Sequence, residues 1–122
     1  MSLAAAERLD HTFHALADPT RRALIGQLKL GRQRVTDLAD SYSMSLNAIS
    51  KHIKVLERAG LVERQVQGRE HRIQLSINSF TEAEAWLAET REFWQTRLDR
   101  LDHVLEQRRL AAQKNKITEE PR

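Results

Sequence analysis

The chain has 122 residues, 40% apolar and 30% charged, with six aromatic residues and no cysteine. That length fits one domain, or one domain plus an extension, with a small core that a partner chain would complete. The missing thiols exclude disulfides, cysteine-type zinc sites and thiol catalysis, and no apolar run approaches the roughly 20 residues of a membrane span. The net charge of +3 hides an uneven distribution. Residues 20–72 carry eleven Lys and Arg against five acids, whereas residues 1–19 and 81–122 are mildly acidic. Basic charge confined to the middle of a chain points to a polyanion. The opening MSLAAAERLD has small residues followed by charges rather than a signal-peptide pattern, so the expected location is the cytoplasm.

Leu9, Phe13 and Leu16 recur at i, i+4, i+7 and predict a first helix over about residues 3–16. Asp18 followed by Pro19 reads as an N-cap with proline at the first helical position, and Gly31 as a terminator, giving a second helix over Pro19–Leu30. Thr36–Ser41 is expected to be a short helix capped by Thr36, with Leu38 and Ala39 facing inward. The turn Tyr42-Ser43-Met44 leads to Ser45, which caps a helix running to Ala59 and stopping at Gly60. Two helices joined by so short a turn form a helix-turn-helix.

The period then falls from 3.6 to 2. Val62, Arg64 and Val66 alternate with polar residues, as do Ile73, Leu75 and Ile77, around a turn at Gln67-Gly68-Arg69. This predicts a β-hairpin. Ser79 or Thr81 opens a long helix to about residue 113, fraying near Lys114–Ile117, and Thr81-Glu82-Ala83-Glu84 has capping-box spacing. The fold class expected is mainly α with a small β-hairpin. Residues 1–113 are read as a single domain and residues 114–122 as a flexible tail.

At 100° per residue, Ile49, Ile53 and Leu56 share one face of the helix after Ser45, and Asn47, Lys51, Lys54 and Arg58 share the opposite one. Solvated helix faces ordinarily mix signs, but this stripe has three cations and no acid. A helix fits the major groove, where Asn pairs with adenine and Lys reaches guanine or phosphate. Arg64, Arg69, His71 and Arg72 cluster around the hairpin tip and read as a wing on the DNA backbone or minor groove. Arg21, Arg22, Arg32 and Arg34 are further phosphate candidates.

The runs FHALADPTRRALIGQL (Phe13–Leu28) and VTDLADSYSMSLNAISKHIKVLERAGLVERQVQGREHRIQL (Val35–Leu75) resemble the arsenic-repressor (ArsR) type of winged helix-turn-helix regulator. The resemblance implies a homodimeric transcription regulator, usually a repressor, bound to double-stranded DNA at a pseudo-palindromic operator. It makes Ser45–Ala59 the recognition helix, presenting Ser45, Leu46, Asn47, Ser50, Lys51, Lys54 and Arg58, and makes Val62–Leu75 the wing. It assigns dimerisation to the long first and last helices, through Leu9, Phe13, Leu87, Trp94, Leu98, Leu101 and Leu105. The last helix supports this on its own pattern: Ala83, Leu87, Thr90, Trp94, Leu98, Leu101 and Leu105 recur at intervals of three and four, with a second line through Trp86, Phe93, Val104 and Leu110.

Many members of that family sense metals. The cysteine motif expected near Thr36–Ser41 is absent, and His103-x-x-Glu106 matches only half of the last-helix site, with Glu92 and Thr90 standing where His and Asp are needed. No metal and no cofactor are therefore expected, and the effector is unknown. No nucleophile motif or phosphate loop suggests an enzyme. Two alternatives stay open: a winged module docking an acidic protein, and a metal-responsive repressor using His11, His14, His103 and Glu106.

Overall fold

The computed structural model describes the backbone of residues 1–119 and the side chains of residues 1–115. It is mainly helical, in the order α1 (Leu3–Leu16), α2 (Pro19–Leu28), β1 (Gln33–Arg34), α3 (Val35–Ser41), α4 (Leu46–Arg58), β2 (Val62–Gln67), β3 (Glu70–Leu75) and α5 (Asn78–Glu119). α1 has the expected bounds. Ser2 caps it, its Oγ accepting the Ala5 N–H at 3.1 Å. Asp18 caps α2 by accepting the Arg21 N–H at 3.0 Å. That bond, with the Arg21 and His52 charges, holds the Asp18 carboxyl below its ordinary range despite an opposing desolvation contribution.

α2 ends at Leu28, two residues short of the expected Leu30. The Leu30 and Gly31 N–H groups fold back to Gln27 and Leu28 in tight i−3 turns, leaving Leu30 in solvent. The next two residues form β1, a strand too short to show a period. It pairs antiparallel with β3, Gln33 opposite Ile73 and Arg34 opposite Arg72, so the sheet has three strands in the order β1-β3-β2. Because β1 runs directly into α3, the residue before the helix is the extended Arg34. Thr36 lies inside the first turn and does not cap it.

α4 follows expectation. Ser45 Oγ accepts the Ala48 N–H at 3.1 Å, and the helix closes at Ala59 before Gly60. Gly60 has φ +73°, and a Cβ there would lie 2.6 Å from Ser79 Oγ. Gly60→Ala is accordingly expected to cost about 1–2 kcal/mol from left-handed strain alone, and more from the contact. Urea melts check this, with Ser79→Ala in the Gly60→Ala background recovering only the contact part.

β2 and β3 pair from Val62↔Leu75 to Gln67↔Glu70, leaving Gly68 and Arg69 as the tip. Ile77 does not extend the second strand. It lies beyond β3, exposed, in the link to α5. α5 starts one turn before the expected capping box, and the Thr81 hydroxyl donates back to Ile77 O at 3.0 Å instead of capping. Its backbone stays helical through Lys114–Ile117, where fraying is expected from sequence. Of the expected tail, residues 114–119 are helical and residues 120–122 lie outside the described residues.

By contacts the chain divides into two compact units, Met1–Glu84 and a second beginning at Ala85, so the division falls inside the stretch read from sequence as one domain. The first unit holds the core: Leu24, Leu38, Ile49, Ile53, Leu56, Leu61 and Ile73 are fully buried, with Ala15, Leu28 and Val35 around them. These are inward positions of α1, α2, α3, α4, the sheet and the α4–β2 link, so α4 is seated from beneath. Three helices, a tight turn and a sheet of this topology make a winged helix-turn-helix. In the second unit no described side chain is buried.

Candidate nucleic-acid interface

α4 separates its residues by face. Ile49, Ile53 and Leu56 are at most 1% exposed, whereas Asn47, Lys51, Lys54 and Arg58 are all exposed. None of these four side chains bonds to another described residue. Uncommitted donors on a helix seated rigidly from below are what a groove-reading element requires. Leu46, half exposed, and Ser50, half buried, border the stripe.

Two hollows flank this helix on the wing side. One, of about 490 Å³, is lined by Arg34, Val35, Thr36, Leu46, Ser50, Arg64, Arg69, Glu70 and His71. The other, of about 560 Å³, is lined by Asn47, Ser50, Lys54, Glu57, Arg58, Arg64 and His71. Asn47, Lys54 and Arg58 thus line one hollow and Arg69 the other, with Ser50, Arg64 and His71 common to both, and Lys51 lines neither.

Only part of the expected wing cluster is uncommitted. Arg69 is exposed at the tip without a bonded partner among the described residues. Arg64 is half buried, its Nη2 2.7 Å from Glu57 Oε1. Arg72 reaches Glu70 at 3.3 Å. Four cations read as a solvent-facing cluster thus resolve into one free and two engaged arginines, with His71 bonded to one of them. The signal for Arg64 was present in the sequence: it shares the period-2 face of Val62, which packs toward α4.

The family match rests on comparison with known proteins. A model described as a helix-turn-helix domain matches residues 16–65, spanning α2 to the start of the wing. The chain is 31% identical over 61 residues to the transcriptional repressor SdpR of Bacillus subtilis, covering 50% of this chain and 68% of that protein. It is 43% identical to a crystal structure of an ArsR family transcriptional regulator, with a TM-score of 0.70 over 74% of this chain and 93% of that one. The chain belongs to the ArsR family of transcriptional regulators. It is also 40% identical over 65 residues to the transcriptional regulator NmtR of Mycobacterium tuberculosis, a match that spans about half the length of either protein, 53% and 54%.

Within this family member, four further arginines expected on phosphate are held by the protein itself. Arg21 donates to Ala15 O at 2.8 Å and His14 O at 3.0 Å, and Arg22 to Leu16 O at 2.8 Å. Together they satisfy the last carbonyls of α1, which a helix C-terminus otherwise leaves open. His52 Nδ1 lies 3.5 Å from Arg21 Nη1 and 3.9 Å from Asp18, placing it at this junction. Arg34 is paired with Asp37 at 3.0 Å, and that bond, then the Asp37 and Glu70 charges, raises its pKa. Arg32 donates to Gln65 Oε1.

The expected dimer residues also divide. Leu9 is 8% exposed, already buried within the single chain. Phe13 is half exposed on α1. In the second unit Leu87, Trp94, Leu98, Leu101 and Leu105 are each 52–56% exposed. They share an arc of about 140° with Trp86, Thr90, Phe93 and Val104, whereas Leu110 falls on the other side. Phe93 and Trp94 meet edge to face at 5.7 Å, and Arg97 lies over the Phe93 ring at 4.8 Å. Among the described residues no three His, Cys, Asp or Glu side chains gather as a metal site, and Glu106 is paired with Arg109 at 2.6 Å. No described helix is long and apolar enough to cross a membrane.

Proposed function

We propose that this chain is a sequence-specific transcriptional repressor that binds double-stranded DNA as a homodimer, in the cytoplasm and without catalytic activity. The observation that carries the reading is the α4 stripe: Asn47, Lys51, Lys54 and Arg58 are exposed, unpartnered and backed by a buried apolar face. Asn47, Ser50 and Lys51 read base edges, with Leu46 against a thymine methyl. Lys54, Arg58 and Arg69 bind phosphate, while Arg72 joins them only by giving up Glu70. SdpR, one of the similar proteins, is named a transcriptional repressor. A structure that shares only the fold, at 21% identity, is a homodimeric winged helix-turn-helix DNA-binding domain.

The exposed apolar arc of α5 supplies a surface for the second copy, and Phe13 on α1 is a separate candidate contact. A two-fold dimer places its recognition helices on half-sites about 34 Å apart, or slightly more, so the operator is a pseudo-palindrome. Two substitutions on one helix test the roles. Lys54→Ala is expected to lower the salt slope of binding by about 1 with base preference unchanged. Asn47→Ala is expected to relax preference at one position, at about 1–3 kcal/mol, with the slope unchanged. Selection of DNA from a random pool, followed by salt titration of the recovered site, measures both. Equal affinity for recovered and random DNA at every salt concentration overturns the reading.

A further inference from the structure

The recognition helix and wing are tied together by a three-residue relay. Glu57 is the one acid in the sequence of α4. Its Oε1 accepts from Arg64 Nε at 3.2 Å and from Arg64 Nη2 at 2.7 Å. The third edge of the same guanidinium, Nη1, lies 3.0 Å from His71 Nδ1. A guanidinium only donates, so the His71 nitrogen is the acceptor in this contact. One side chain thus links α4 to both strands of the wing. Arg64 and His71 line the hollow facing Leu46 and Arg69 and also the one facing Asn47 and Lys54, so they form the ridge between the two.

We propose that Arg64 is a positioning residue, a brace that fixes the wing's distance from the recognition helix, and not a phosphate contact. This rests on the DNA reading above. The Arg64–Glu57 pair is half buried, so its charged hydrogen bonds are less screened than those of an exposed pair. It also neutralises an acid that would otherwise face the phosphates beside Lys54 and Arg58. A planar fork satisfying two acceptors on different elements cannot be replaced by a lysine, whose ammonium is a point donor. With the brace in place, Arg69 at the tip and Asn47 on the helix engage adjacent grooves in one fixed register. Without it they bind DNA as two loosely coupled parts, and discrimination falls before affinity does.

The test removes the relay without changing net charge. Glu57→Gln with Arg64→Met keeps the shapes and deletes one charge of each sign. Affinity is measured on the site selected from a random pool and on a random duplex, across salt concentrations. The brace predicts about a tenfold loss on the selected site, less than about a twofold loss on the random duplex, and an unchanged salt slope. A slope shallower by about 1 with equal losses on both duplexes identifies Arg64 as a phosphate contact and overturns the proposal. So does unaltered binding to both. If thermal melting shows the double variant unfolded, Arg64→Lys keeps the charge and loses the fork, and an unchanged ratio of the two affinities in that variant overturns the proposal. Wild-type protein that retards neither duplex at low salt overturns the DNA reading itself, a failure visible before any variant is made.

Discussion

On the homodimer proposed above, Leu98→Glu is expected to give a monomer and to lower affinity for a two-half-site operator by about 10²–10⁴-fold. Leu98 lies on the α5 arc shared with Trp94, Leu101 and Leu105, where it is about half exposed in the single chain. A second copy packed on that arc buries the side chain. A glutamate there would leave a carboxylate without a partner in an apolar contact, which costs several kcal/mol. Leu98 lies in the second unit, outside the core cluster of the first. The DNA effect follows from linkage: a dimer's second half-site binds at high effective concentration, and a monomer forfeits that gain. Sedimentation equilibrium and retardation of one- and two-half-site duplexes measure the two consequences. Asp99→Lys, about 170° from the centre of the arc, is the matched control and is expected to leave the dimer intact. A Leu98→Glu protein that remains dimeric and binds undiminished would refute this use of α5.

The second large effect lies beneath the reading surface. Ile53→Ala is expected to destabilise the first unit by about 2–5 kcal/mol, through lost transfer energy and the cavity left behind. Ile53 is 1% exposed, packed in the core below α4 with Leu56, Leu61 and Ile73. Total stability of a domain of this size is about 5–15 kcal/mol, so one substitution removes a large fraction of it. The neighbouring residue makes the contrast. Lys54→Ala, exposed on the opposite face, is expected to shift stability by at most about 0.5 kcal/mol while changing DNA binding. Urea midpoints of the two variants measure the difference. Equal destabilisation by both would mean that α4 is not seated as described.

That pair of adjacent residues shows what was legible in the sequence. A 3.6-residue period, Ser45 as cap and Gly60 as stop defined α4 and separated its buried and exposed faces, because each of these signals is local. The same holds for α1 and for the hairpin. Boundaries slipped where a short-range signal met a competing connection. Thr36 looked like a cap, but β1 feeds α3 directly. Thr81 looked like a cap, but α5 had already begun at Asn78. β1 itself exists only through its pairing with β3, and two residues carry no period.

Charge was where the tertiary structure decided most. The sequence by itself determined that the middle of the chain is basic, that α4 carries an unbroken cationic stripe over an apolar underside, and that the last helix has an apolar face. It could not determine which arginines are free. Arg21 and Arg22 close α1, Arg34 holds Asp37, Arg64 holds Glu57 and Arg72 holds Glu70, while Lys51, Lys54, Arg58 and Arg69 remain uncommitted. The physical reason is reach. An amphipathic period is set by neighbours a few residues away, but a guanidinium at the end of a long side chain is claimed by whichever carbonyl or carboxylate the fold brings within hydrogen-bond reach.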